Sequence, residues 1–516
     1  MFKKLIFPIC LGIATMALAL SLRGLPGNPS AVELSSDKWT NKGPFELSPE
    51  RGRYALTYSL VEDHSLFFST DLARFTTPDL GYKNGHYVSL FAPGVSYITS
   101  LGYQLGRLVN LAEVGTVAVV AIFAIFNFVL IYQIGKSIGA SRAGSLLSAF
   151  IFLFATPAFS YGVTLYQHHF STFLILLSLF LTIRKPSIWS LAIVWFCCAL
   201  SIPLDYPNLF LMLPIGLYSL QHLLHVKLTK NITLRVFPLR ILTLLTMLIP
   251  LGFFLWFNQS SYGDPLQFSG TVASVARIDS NGQPALPETS VSAGDAEKFL
   301  NPSLQQKDAV GFFKSRYLIN DLYIHLFSPD RGVVVFAPIL ILAIFGIYVL
   351  AKSKSNTTSL LLGVLLANLL LYSLWGDPWG GWAFGSRYLI PGYAILCIFL
   401  SIAVTRFRRN LLFLIPLTIL TLYGITINTA GALTTSANPP RVEVLALEAI
   451  TNHPEPYSFD RNFAYLSQSG SKSFVYQTYL SHYLTPVQYY LVLTTILGLT
   501  GIALMIYSFK SGEGDL

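Results

Sequence analysis

The chain has 516 residues, 53% of them hydrophobic and only 11% charged, with a mean hydropathy of +0.56. A soluble domain of this length cannot hide so much apolar surface, so a soluble enzyme or binding module is excluded and a membrane protein is predicted. The net charge of +9 does not point to nucleic acid, because about half of the basic residues fall in short loops between apolar runs and no basic stripe with interleaved aromatics remains.

Apolar runs of the length that crosses roughly 30 Å of hydrocarbon as helix recur from Leu5 to Leu22 through Tyr490 to Tyr507. About a dozen are read, which predicts an all-α polytopic bundle. The opening KKLIFPICLGIATMALALSL reads as a retained first span, since its apolar core is long for a signal peptide and lacks a clear cleavage site. Cys10, Cys197, Cys198 and Cys397 all lie within apolar runs, so neither a disulfide framework nor a CxxC metal pattern is read. Basic residues mark cytoplasmic loops. Lys3 and Lys4, Lys136 and Arg142, Arg184 and Lys185, Lys352 and Lys354, and Arg406, Arg408 and Arg409 then share the inner side, with both termini cytoplasmic. On the same threading every Asp and Glu before Glu513 falls outside.

Three outer segments are long: 23–113, 258–331 and 428–488. The chain divides accordingly into a transmembrane region, 1–427, that includes the first two, and a last unit, 428–516, of one external loop and one span. In the first loop RYALTYSLVEDHSLFF has Tyr54, Leu56, Leu60 and Leu66 at helical spacing, which suits an amphipathic helix lying on the membrane surface. Pro78, Gly81, Gly85, Pro93 and Gly94 then break regular structure before a second surface helix. The stretch 281–301 is polar and turn-rich and reads as a mobile loop.

No P-loop, GxSxG, HExxH or dinucleotide fingerprint is present. The chemistry falls on charged residues at span ends. Asp63, Asp71 and Asp79 are external carboxylates, ionised at neutral pH, and any of them suits a general base or an ordinary solvated acid. Asp79 stands out, between Pro78 and Gly81 and beside the turn Tyr82 to Tyr87, which contains His86 and Tyr87. His168 and His169, in TLYQHHF, read either as an interfacial polar belt or as a ligand-facing pair. Asp205, flanked by Pro203 and Pro207 in an apolar region, calls for a function or a partner arginine. Arg331 and Arg387 each stand at an outer span end, preceded by Asp330 and Asp377; a guanidinium there binds phosphate bidentately or snorkels to headgroups. The stretch LWGDPWGGWAFGSRYLIPG around Arg387 adds Trp379 and Trp382 for the water–lipid boundary and glycines for close backbone approach.

These motifs together, RYALTYSLVEDHSL, NGHYVSLFAPG, TLYQHHFSTFLILLSLFL, LDYPN, WFNQSSYGDPL, LFSPDRGVVVFAPIL and WGGWAFGSRYLIP, resemble the bacterial C-type (GT-C) glycosyltransferase superfamily, which includes protein mannosyltransferases and the aminoarabinose transferase of lipid A. The chain departs from the family pattern at Val88, Phe91 and Asp205, where Tyr, Lys and Glu are usual. The resemblance implies a GT-C-like bundle in the plasma membrane that moves a sugar from a polyprenyl-phosphate donor to a lipid, glycan or protein hydroxyl on the outer, periplasmic face. It further implies that Arg387 and Arg331 hold the leaving phosphate, that Asp377 orients Arg387 or the sugar, and that the Trp and Gly residues shape a lipid-facing pocket. A first-loop carboxylate, Asp79 ahead of Asp71 or Asp63, then takes the acceptor proton in an inverting displacement. No cofactor motif is present, and a need for a divalent metal stays open. An O-antigen-ligase-like glycan transferase and a lipid or saccharide transporter remain alternatives.

Overall fold

The computed structural model describes residues 2–184, 186–228, 232–284, 311 and 313–510. Most of the stretch read as a mobile loop, 281–301, lies outside the described residues. Among the described residues, six helices are long and apolar enough to cross a membrane: Ala112–Ser137, Pro238–Tyr262, Asn356–Ser373, Arg387–Phe407, Leu411–Leu433 and Pro486–Lys510. Six further apolar helices are shorter, among them Leu5–Ser21, Arg142–Phe154, His168–Ile183 and Ile188–Leu204. The apolar stretch of Arg387–Phe407 is 83% buried inside the protein, against 17–56% for the other five long helices, so this helix is the central column of the bundle.

Close helix approach depends on small residues. Gly94–Leu108 crosses Ala112–Ser137 where Gly102 and Gly106 meet Gly115, and a methyl group on any of the three would collide with backbone of the facing segment. The outward face of Gly94–Leu108 carries exposed Leu101, Leu105 and Leu108. The sequence predicts a second surface helix in this part of the first loop.

The first one is corrected. Helix Ser48–Tyr58 is not laid on a surface: Glu50, Gly52, Arg53, Tyr54, Ala55, Leu56 and Thr57 are all buried, so it is enclosed on every side. It passes into a π-turn, Ser59–Asp63, and Leu66 lies beyond its end. Regular structure also continues where a break was expected. Leu80–Lys83 and His86–Ser89 form an antiparallel hairpin, joined on its other edge by Ser274–Val275. Its turn, Asn84-Gly85, has positive φ at both residues (52° and 83°), the mirror-image turn that matches strand twist.

A buried charge cluster ties the two ends of the chain together. Arg23, at the end of the first span, reaches Glu46 (3.2 Å), which also takes Lys472 Nζ at 3.0 Å and the Ser436 N–H at 2.8 Å. Arg23 donates further to the Gly431 carbonyl (3.0 Å). Burial opposes the charge on Glu46, but Lys472 and Arg23 outweigh it and hold the carboxyl down at about 2.

Candidate active site

A cleft of about 550 Å³ opens among the long loops at one end of the bundle. Its wall is almost wholly apolar, with Phe91, Tyr206, Phe254, Phe268, Phe313 and Trp375 prominent; Arg53 and Asp205 are its charged members. Local sequence explains how each charge arrives there. Pro49 occupies the first turn of Ser48–Tyr58, where its missing N–H costs nothing, and Arg53 one turn later donates back to the Pro49 carbonyl (2.8 Å). Asp205 sits in the break between Ile188–Leu204 and Asn208–Leu220, which Pro203 and Pro207 enforce.

The two charges are linked through one amide. Arg53 Nη2 donates to Gln167 Oε1 (2.7 Å), and Gln167 Nε2 donates to Asp205 Oδ2 (3.1 Å). Burial raises the Asp205 carboxyl to about 6, with Arg53 and the Gln167 amide pulling the other way. Burial also lowers Arg53, to about 10. The arginine partner expected for Asp205 is therefore Arg53, and Gln167 carries the contact.

Tyr166 stands between two guanidinium groups, its ring 5.6 Å from the Arg53 carbon and 4.5 Å from that of Arg387. Arg387 is 8% exposed and donates through Nη2 to the Gly380 carbonyl (2.7 Å). Arg53 Nε, Arg387 Nε and Nη1, the Tyr166 hydroxyl and His168 Nε2 are all buried and have no hydrogen-bond partner among the described residues. Two like charges share this corner with one carboxylate, held at one remove through Gln167. The arrangement has N–H donors and positive charge to offer an anion.

The tryptophan-glycine loop supports this corner and does not line the cleft, apart from Trp375. Arg331, 1% exposed, has its donors on four carbonyls: Trp379 (2.9 Å), Asp330 (2.7 Å), Gly381 (2.8 Å) and Asn438 (2.9 Å). A guanidinium so engaged staples loops together, which corrects its expected role as a phosphate contact. Asp377 is also corrected. Its carboxylate accepts from the N–H groups of Gly380 (3.1 Å) and Gly381 (2.9 Å) and so shapes the turn instead of gripping Arg387. Trp379 Nε1 donates to Asp330 (3.3 Å) and Trp382 Nε1 to Glu443, so the indoles tie this loop to the second and third long segments respectively and do not line the cleft. Gly380 has φ +65°, and a methyl there would stand 3.3 Å from Arg387 Nε.

The first-loop acids lie off the cleft wall. Asp79 accepts from the Ser48 hydroxyl (2.6 Å) at the start of the helix that bears Arg53. Asp71 pairs loosely with Arg74 (3.5 Å) on an open surface. Asp63 is exposed at the end of the π-turn, its carboxyl raised by partial burial and by Glu62. His86 is exposed and stacked on Phe67 (4.3 Å), and the Tyr87 hydroxyl donates to the Gly282 carbonyl (3.0 Å). The two histidines separate. His168 stacks on Tyr166 (5.7 Å, 16°) beside Arg387, whereas His169 is fully buried between Asn127 Nδ2 (3.1 Å) and the Ala158 carbonyl (2.8 Å) and faces no ligand space.

Sequence reading passed over Arg53, Gln167 and Glu50. Arg53 opened a stretch read only for its apolar spacing. Glu50, one turn earlier and fully buried, accepts from the Leu165 N–H (3.3 Å) and is pushed up to about 7 by burial. Among the described residues no three His, Cys, Asp or Glu side chains converge in a way that would hold a metal ion.

No protein-family model matches the chain, and no curated protein matches its sequence. Among solved structures it is similar to ArnT from Cupriavidus metallidurans in the apo state, at 12% identity and TM-score 0.44 over 97% of this chain and 77% of that one. It is likewise similar to the same protein bound to undecaprenyl phosphate, at 14% identity and TM-score 0.44 over 98% and 77%.

Proposed function

We propose that the chain is a membrane glycosyltransferase that moves a sugar from a polyprenyl-phosphate donor to an acceptor hydroxyl. On this reading all twelve apolar helices cross the membrane, both termini are cytoplasmic, and the cleft end faces outward. The observation that carries the proposal is the corner formed by Arg53, Tyr166 and Arg387, with buried guanidinium N–H groups that no atom of the described residues takes up, at the edge of an apolar cleft. An apolar groove suits a polyprenyl chain, and paired guanidiniums suit its phosphate, each charge-assisted bond contributing about 1.5–3 kcal/mol.

In the proposed reaction the acceptor oxygen attacks the anomeric carbon from the side opposite the phosphate, which inverts that carbon. The bond from the anomeric carbon to the phosphate oxygen breaks, and its electron pair leaves on the phosphate. Arg387 and Arg53 stabilise the charge that develops there. The acceptor proton passes to a carboxylate, and Asp205 is favoured over Asp79 because it borders the cleft and is linked to Arg53 through Gln167. His168, stacked on the same tyrosine, is placed beside the leaving group in this reading.

The direct test is to incubate the purified protein with a polyprenyl-phosphate sugar and a lipid, glycan or protein acceptor and to follow release of free polyprenyl phosphate. Acceptor-dependent release that disappears in Arg387→Ala is expected. Donor binding equal in wild type and Arg387→Ala would overturn the assignment of the phosphate site.

A further inference from the structure

A second concavity, of about 370 Å³, lies at the opposite end of the central helix. Arg406, Arg408 and Arg409 line it with Gly139, Val349 and Thr405. Thr405 fixes its floor by accepting the Ser141 N–H (2.9 Å), which pins the turn before Arg142–Phe154 against the helix end. Arg406 and Arg409 are exposed, as arginines at a span end usually are. Arg408 differs: only 7% of it is exposed, yet its side chain has no hydrogen bond, ion pair or ring contact among the described residues.

None of its guanidinium nitrogens is fully enclosed, so the small exposed part of the side chain is its charged end, which lines the hollow, and no acid among the described residues pairs with it. No Asp or Glu occurs between Glu113 and Asp205, between Arg331 and Asp377, or between Asp377 and Glu443, the segments that supply this concavity. Three cations therefore converge on one hollow that no Asp or Glu lines among the described residues. The position also has a meaning. From Arg387 to Arg408 the helix rises 1.5 Å per residue, roughly 31 Å in all, about the thickness of a hydrocarbon core. If one arginine stands at one water–lipid boundary, the other stands at the opposite boundary.

We propose that this hollow is a phosphate-binding site on the face away from the cleft, with Arg408 as its buried anchor and Arg406 and Arg409 as its rim, and that an anionic lipid headgroup fills it. It is independent of the transferase reading, because neither the cleft nor the donor enters the argument. The phosphate could also arrive free from solution, so the test separates the two sources.

The purified full chain is placed in nanodiscs of phosphatidylcholine with or without phosphatidylglycerol, and in phosphatidylcholine with millimolar inorganic phosphate, and thermal unfolding and co-purifying lipid are measured. Retention of phosphatidylglycerol roughly ten-fold weaker in Arg408→Gln is expected. The doubly exposed variant Arg406→Gln/Arg409→Gln should weaken retention in the same direction and serves where Arg408→Gln does not fold. Lys352→Gln/Lys354→Gln, exposed on the same end but off the hollow, should bind as wild type does. Protection by phosphatidylglycerol alone establishes a headgroup site, and equal protection by inorganic phosphate establishes a site for the free anion. No protection by either, or the same loss in the lysine variant as in the arginine variants, overturns the proposal.

Discussion

Arg53 and Asp205 are joined through Gln167 and not by direct contact: the amide oxygen accepts from Arg53 at 2.7 Å and the amide nitrogen donates to Asp205 at 3.1 Å. A neutral spacer keeps the two charges coupled while leaving each with free valence towards the cleft. A direct ion pair would neutralise both.

Arg53→Lys and Arg387→Lys should each weaken binding of polyprenyl phosphate roughly ten-fold or more, since a lysine keeps the charge but loses the planar fork. Arg331→Lys should behave differently. Its four carbonyl contacts predict a lower unfolding temperature with little change in affinity for the folded fraction. Lipid titration and a melting curve on the same preparations distinguish the two behaviours.

Asp205→Asn is expected to lower turnover by about 100- to 10,000-fold while leaving donor binding nearly intact. Asp79→Asn should retain most activity, because an amide oxygen still accepts from the Ser48 hydroxyl. The reverse pattern in a transfer assay would return the base to the first loop.

The pH profile follows from Asp205. Its carboxyl is raised to about 6 and must be ionised to take a proton, so activity should rise with pH through about 6. The Gln167 amide stabilises the ionised form, so Gln167→Leu should move this limb to higher pH, and an unmoved limb would separate Asp205 from the rate-determining proton transfer.

Gly380→Ala tests the support of Arg387. The left-handed backbone costs an L-residue about 1–2 kcal/mol, and the new methyl would press on the Tyr388 ring and on Arg387 Nε beside it. Donor affinity should fall by more than the stability loss explains. Alanine at Gly381, where a methyl meets nothing, should show the backbone strain alone.

Glu46→Gln should destabilise the fold by about 3–5 kcal/mol, because it leaves Arg23 and Lys472 buried without their carboxylate, and Lys472→Met, which leaves Glu46 paired with Arg23, should cost less. The Glu46 carboxyl is depressed from 4.5 to about 2, so its contribution is present above 4.5 and is lost as pH falls towards 2. Acid unfolding of the wild type should steepen in that window, and in Glu46→Gln it should not.

The apolar runs were legible because burial in lipid leaves a mark on every residue of a span, and WGGWAFGSR was legible as a special loop because glycine and tryptophan are rare together. What the sequence could not separate was Arg331 from Arg387. Both follow an acid at a span end, and only the carbonyls of residues 48 to 107 positions away distinguish a staple from a free fork. Asp79 looked favoured by its neighbours in the chain, whereas its partner Ser48 is 31 residues distant. Arg53 was hidden for the opposite reason. Its flanking apolar residues suggested a helix with a wet face, and nothing local reveals that the protein closes over that face too. The hairpin could have been found, since Asn84-Gly85 between GYK and HYV is a strong turn signal.

The Glu46 cluster sets an order on the making of the protein. Arg23 and Glu46 emerge from the ribosome within the first tenth of the chain, but the Ser436 N–H and Lys472 are synthesised almost last. Until then one carboxylate oxygen and much of the surrounding cavity have no companion, and the helix that carries Arg53 begins only two residues after Glu46. A chain stopped before Lys472 would therefore contain every residue that borders the cleft and still lack the clasp at the start of the helix that carries Arg53.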